Sequence, residues 1–194
     1  MVVIPDSPNG EQVMAPATRA EWRAWLEANH KQDAGVWLAI PKQNSEYRAT
    51  PYEDLVEEAL CFGWIDSLSK KGDENFQLLR FTSRRRGSIW AKTNKARVER
   101  MIAAGLMTEA GMAVIEAAKA DGSWDQYNDV DDLIIHEDLA EALKASPEAK
   151  SVFEALAPSR KRLHLWHVYS AKRPETRGKR IEETVRNLLA PPLS

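Results

Sequence analysis

Three short runs of this chain collect residue types that apolar packing does not require: Trp64-Ile65-Asp66-Ser67, Ser83-Arg84-Arg85-Arg86-Gly87-Ser88-Ile89-Trp90 and Lys92-Thr93-Asn94-Lys95. On a strand, Trp64 and Asp66 share one face. A carboxylate beside an indole is costly to desolvate unless a guanidinium or backbone donors satisfy it, and Arg80 or Arg84 on a partner strand is within reach. One reading is a buried Asp66–Arg clip that orients a hairpin. The other rests on the segment after the hairpin, since Gly87 and Ser88 lead into a helix starting near Trp90. The first-turn amides and positive dipole end of that helix, flanked by Arg84, Arg86 and Lys92, would hold phosphate, sulfate or carboxylate. The expected anion-binding set is Trp64, Asp66, Ser67, Arg84, Arg86, Ser88, Trp90, Lys92 and Asn94. Arg177 and Arg180, one helical turn apart after Pro174, can close it if the C-terminal helices fold back over the sheet.

Other chemistry finds less support. GxGxxG, the phosphate loop ending in Gly-Lys-Ser/Thr, and GxSxG are absent, and the single cysteine, Cys61, excludes CxxC, an internal disulfide and a cysteine-based zinc site. His136-Glu137 opens like a zinc-protease motif, but Ala140 stands where the second histidine must be. His164 and His167 sit three apart with no third ligand fixed by spacing, and the loop at Asp129–Leu133 lacks the glycine and terminal acid of a calcium loop. No metal, cofactor or catalytic residue is assigned. An enzyme acting on the anion would use Asp66 as base or orienter and Ser67 or Ser88 as hydrogen-bond donors, but an activated nucleophile is missing.

The elements that must position these residues emerge from pattern. Thr18 and Glu21 have capping-box spacing ahead of Trp22, Trp25, Leu26 and Asn29, which share one face of a helix ending near His30. Gly35 opens a branched and aromatic strand stopped by Pro41. Thr50 caps a second helix, with Pro51 at its first position and Glu53 completing the box. From Gly63 the period becomes two, with Trp64, Asp66 and Leu68 alternating, and after a Lys-Gly-Asp turn residues 75–83 alternate again as a hairpin. Helices closed by Gly105 and Gly122 come next. Beyond them lie His136–Ala145, Pro147–Leu156 capped by Ser146, Ser159 to about Arg173, and Glu175–Ala190 after the breaking Pro174. The fold class is α+β, predominantly helical, with one small antiparallel sheet of about three strands in the N-terminal part. Residues 1–16 should lie extended or disordered, 17–130 form an α+β domain, and 131–194 a helical module packed on it, because some 60 residues bury a core with little margin.

The chain's 194 residues are 43% hydrophobic and 29% charged, with 27 Lys or Arg against 29 Asp or Glu. A net charge of -2 provides no global pull toward nucleic acid or membrane. The charge is patchy, however. Residues 80–100 carry eight Lys or Arg and one acid, residues 158–180 the same, and residues 101–157 twelve acids and three Lys. Complementary solvated ion pairs are the plain account of this pattern. The opening residues lack a basic and apolar leader, and no 18 consecutive apolar residues occur, so a cytoplasmic protein without a membrane span is expected.

The runs GVWLAIPK, EEALCFGWIDS, RRRGSIWAKTNK and AAGLMTEAGMAVIEAAKADGSW, then LAPSRKRLHLWHVYSAKRPETRGKRIEETVRNLLA, resemble the YdeI/OmpD-associated family, also labelled bacteriocin-protection proteins. The resemblance extends over nearly the whole chain from about Trp22, and its last 60 residues resemble the helical OmdA module. It implies a cytoplasmic bacterial protein tied to tolerance of antimicrobial peptides and other stress, with no reaction, cofactor or catalytic residue to carry over. Family positions present here include Lys172, Thr176 and Ile181 beside the set above. The leading expectation is therefore a non-catalytic interaction protein with an anion pocket and a protein partner in envelope or peptide stress. A small-anion binder or enzyme is the alternative. Nucleic-acid binding is disfavoured, because Trp22, Trp25, Trp64 and Trp166 sit on apolar faces rather than free for base stacking.

Overall fold

A computed structural model describes residues 5–43, 45–48 and 50–190, so what was expected of residues 1–4 and of 191–194, the end of the helical module, lies outside the described residues. The chain divides into two compact units, Met1–Trp124 and Asp125–Ser194. The first unit opens with β1 (Val13–Met14), after which Thr18 caps α1 (Arg19–Asn29) by accepting from the Glu21 amide. Glu21 accepts in turn from the Ala17 amide at 2.8 Å, so the return bond of the box lands one residue before the cap rather than on the Thr18 amide. Next come β2 (Val36–Pro41), α2 (Tyr52–Cys61), the hairpin β3 (Trp64–Lys71) and β4 (Phe76–Ser83), α3 (Lys92–Ala103) and α4 (Glu109–Ala120).

The strands form one sheet in the order β1-β2-β4-β3. β2 and β3 flank β4 antiparallel, but β1 joins β2 parallel, so the sheet is four-stranded and mixed rather than the expected three-stranded and antiparallel one. A two-residue strand is too short to show alternation, and only its neighbour reveals it. The segment that carries it is tied down by side chains. Glu11 takes the Arg80 guanidinium, with Nε at 2.6 Å, and Asn9 accepts from Trp37 Nε1 at 2.9 Å.

Helices cover one face of the sheet. Trp22, Leu26, Leu55, Leu60, Trp64, Phe81 and Ile115 are wholly or almost wholly buried there. Trp22 stacks on Trp25 at 5.3 Å and meets Phe81 edge-on, while its indole N–H donates to the Leu55 carbonyl at 2.9 Å. That bond satisfies the one polar group the indole brings into the core. The opposite face holds a smaller cluster of Trp37, Ala39, Phe76 and Leu78.

Several local expectations shift. Pro51 keeps an extended ψ of 141°, so α2 begins at Tyr52 with no side-chain cap. The Thr50 hydroxyl instead donates to the Pro16 carbonyl at 3.0 Å. A bulge between Asp66 and Leu68 breaks the strand's alternation and leaves Leu68 53% exposed. Ser146 makes no side-chain cap bond to the helix after it.

The second unit comprises α5 (Asn128–Asp131), α6 (Glu137–Ala145), α7 (Pro147–Ala155), α8 (Pro158–Tyr169) and α9 (Pro174–Leu189). Val130, Leu139, Leu143, Phe153, Leu165 and Val168 form its core. α8 stops at Tyr169, four residues before the expected end, and α9 starts at Pro174, where a missing amide costs nothing.

Candidate functional site

Arg84 ends β4, its amide donating to the Gly63 carbonyl at 2.9 Å, and its side chain turns onto the ring of Trp90 with the guanidinium carbon 3.7 Å from the centroid. Nη2 donates to the Ile89 carbonyl at 2.7 Å, whereas Nε is buried with no partner among the described residues. Burial pushes the Arg84 guanidinium down to about 10, and the charge of Asp66 counters only part of that. The Arg84 side chain is thus a desolvated cation with a donor to spare.

Downstream, Gly87 adopts φ +74° in a turn where the Ser88 amide meets the Arg85 carbonyl at 3.1 Å. This loop stands against α4. Arg84 to Ser88 and Trp90 form one wall of a cavity of about 410 Å³, and Ala113, Val114, Ala117 and Ala118 form the other. Asp121 and Ser123 complete the lining. The Asp121 carboxyl is lowered from its ordinary value by the Ser123 hydroxyl and amide, then by Arg86 and the Gly87 amide. Arg86 approaches it to 3.7 Å with a side chain 85% exposed. The cavity combines three arginines, one carboxylate and an apolar wall.

Four residues of the expected set therefore meet here: Arg84, Arg86, Ser88 and Trp90. The others are placed elsewhere. Trp64 is fully buried and donates to the His30 carbonyl at 2.8 Å. Ser67 stands exposed at the bulge, bonded to the Arg80 carbonyl at 3.2 Å. Asp66 accepts from the Tyr52 hydroxyl at 3.0 Å, and neither Arg80 nor Arg84 pairs with it directly, so the expected clip is a carboxylate–phenol bond. Burial, with the Asp66 charge behind it, raises the Tyr52 hydroxyl to about 12. Asn94 accepts from Arg97 Nη1 at 2.7 Å, and Lys92 opens α3 outside the cavity lining. The helix starts two residues later than expected, with Ala91 before it, so its first-turn amides are not those beside Gly87.

Arg177 and Arg180 are engaged within the C-terminal unit. Arg177 reaches Asp138 through Nε at 2.5 Å and Nη2 at 2.8 Å, donates to His136 Nδ1 at 3.1 Å and lies 5.0 Å above the ring of Tyr169. Arg180 donates to the His167 carbonyl at 2.8 Å and to Ser170 Oγ at 2.9 Å.

Asp121, Ser123 and the α4 wall were not expected from the sequence. Ala113 and Ala117, four apart, were the available signal for a small-residue face that lets a loop approach a helix closely. Cys61 offers no nucleophile, since it is buried and its thiol is raised to about 11 by that burial.

Two protein-family models match the chain. Residues 14–114 match a domain of unknown function, DUF8412, and residues 132–190 match the family described as bacteriocin-protection, YdeI or OmpD-associated, OmdA. The likeness to that second family, read along nearly the whole chain, is thus carried by its model over the C-terminal part alone. No curated protein and no solved structure matches the chain.

Proposed function

Because the chain belongs to the DUF8412 family through residues 14–114 and carries the OmdA module over residues 132–190, we propose that it is a non-catalytic protein of peptide or envelope-stress tolerance that acts by binding. The ligand of its N-terminal unit is a small amphiphilic anion: a carboxylate, phosphate or sulfate carried on an apolar body.

A single observation carries the ligand class. Arg84 has been taken out of water without gaining a carboxylate partner, its buried Nε makes no bond among the described residues, and its side chain lines a cavity whose far wall is aliphatic. A buried donor left unmade costs about 1–3 kcal/mol, more for a charged group, and an incoming anion removes that cost. The alanine and valine wall would take the apolar body of the same ligand. The family description supplies the stress context, with a protein partner there still to be identified. A single buried thiol without a disulfide partner suits the cytoplasm, and no helix among the described residues is long and apolar enough to cross a membrane.

Thermal-shift titration of the full chain with phosphate, sulfate, benzoate, octanoate and nucleotides tests the reading. At least one anion should stabilise the wild type, with benzoate or octanoate ahead of inorganic ions. A charge-assisted bond contributes about 1.5–3 kcal/mol, so Arg84→Ala should weaken that ligand about tenfold or more. Absence of any anion response, or an equal response from Arg84→Ala, returns the arginine loop to a structural role.

A further inference from the structure

One flank of α9 is only partly covered by the described residues of its own unit, with Ile181 in the core, Val185 packed at its edge and Leu189 exposed. Ile181, Val185 and Leu189 succeed one another at four-residue spacing along it, and Ala142 and Ala145 of α6 face them across an open trough of about 740 Å³. Ile181 forms the floor at 9% exposure, while Leu189 stands 44% exposed at the end. Glu182 and Arg186 edge the same trough, and neither forms a hydrogen bond or ion pair with another described residue. An apolar stripe bordered by one acid and one base, four residues apart on the same helix, is self-complementary when two such helices run antiparallel.

We propose that this trough is the contact face of a symmetric dimer of this chain, with α9 of each copy lying antiparallel in the trough of the other. A two-fold axis at Val185 sets Val185 against its own counterpart and Ile181 against Leu189 of the second copy. Each Glu182 then stands within one turn of the second copy's Arg186. Ala142 and Ala145 keep the opposing wall low, which permits the close approach that packed helices need. α9 has 16 residues and is about 24 Å long, so the contact falls at the small end of stable interfaces. The dimer face is independent of the anion cavity, which lies in the other unit.

Sedimentation of the full chain over a concentration series tests it. The wild type should move from 21.9 kDa toward twice that mass as concentration rises. Glu182→Arg alone sets like charges against each other twice across the axis and should weaken the dimer about tenfold or more. Glu182→Arg combined with Arg186→Glu restores opposite charges and should recover it. Leu189→Glu, at an exposed position, should abolish association while circular dichroism, and the melting temperature at concentrations where the wild type is monomeric, stay those of the wild type. A chain that remains monomeric at every concentration overturns the proposal. So does a dimer indifferent to Leu189→Glu, or a double reversal no better than the single one.

Discussion

Glu58 shows what a single charged side chain can hold together. Its carboxylate is 2% exposed and takes Arg19 Nε at 2.6 Å and Arg23 Nη1 at 2.7 Å, while Glu57 and Asp54 share Arg19. Removing Glu58 leaves Arg19 its two other acids and Arg23 the exposed Glu27 and the Leu106 carbonyl, so Glu58→Ala should cost about 1–3 kcal/mol in a urea or guanidinium unfolding curve. An exposed pair such as Lys150–Glu154 should cost at most about 1 kcal/mol when broken. Asp121 presents the opposite case. It sits against Arg86 and the Gly87 amide, where the proposed ligand's anion would compete with it. Asp121→Asn should therefore tighten binding of a stabilising carboxylate by roughly threefold to tenfold, read by the same titration that tests Arg84. Weaker binding in Asp121→Asn would mean that the carboxylate supports the pocket rather than competing within it.

At the scale of elements, α4 docks on the end of α2 through one carbonyl. Cys61, the last residue of α2, has a carbonyl oxygen that the helix itself cannot satisfy, and Thr108 supplies both its hydroxyl at 2.6 Å and its amide at 3.2 Å. Gly111 of α4 passes over the same place. A Cβ there would crowd the Cys61 carbonyl and come within 2.6 Å of Met107 Sδ, and the backbone atom cannot move aside cheaply. Gly111→Ala should lower stability by about 1–3 kcal/mol despite the better helix propensity of alanine. Because α4 is also the apolar wall of the cavity, the same variant should weaken anion stabilisation. A neutral or stabilising Gly111→Ala in the melt would contradict this docking. Ala113→Ser, a polar change on the wall, should affect ligand response more than stability.

For the molecule as a whole, part of the uneven charge is consumed internally. Arg80 pairs with Glu11, Arg97 and Arg100 with Glu53, Arg100 also with Glu57, Arg162 with Asp131, and Arg177 with Asp138. The first two basic partners lower their carboxylates: the hydrogen bond from Arg80 holds Glu11 at about 2, against its ordinary 4.5, and Arg97 lowers Glu53. Arg177 does the same to Asp138. A depressed carboxylate contributes stability that is fully present above its unfolded value and is lost as pH falls toward its folded one. Chemical-denaturation stability should thus be level above pH 4.5 in respect of Glu11 and fall between 4.5 and about 2, and Arg80→Ala should flatten that fall. With these guanidinium groups engaged, duplex DNA should not be retarded at about 0.15 M salt. Retardation that persists there would revive the nucleic-acid reading.

Local signals were legible because local bonds create them. Thr18 and Glu21 marked the start of α1, Gly105 and Gly122 the ends of later helices at φ +69° and +80°, and the period-two runs gave the hairpin. The helical C-terminal part was legible from Pro147, Pro174 and their apolar spacing. What depended on residues far apart in sequence was settled only by packing. Two residues of β1 found β2, Asp66 found Tyr52 rather than an arginine, and the arginine loop closed against α4 instead of onto its own helix start. In each case several donors or strands of equal local propensity competed for one partner. The bulge at Ser67 and the close passage of Gly111 over Cys61 decide which of them arrive, and such choices leave no periodicity for a sequence to display.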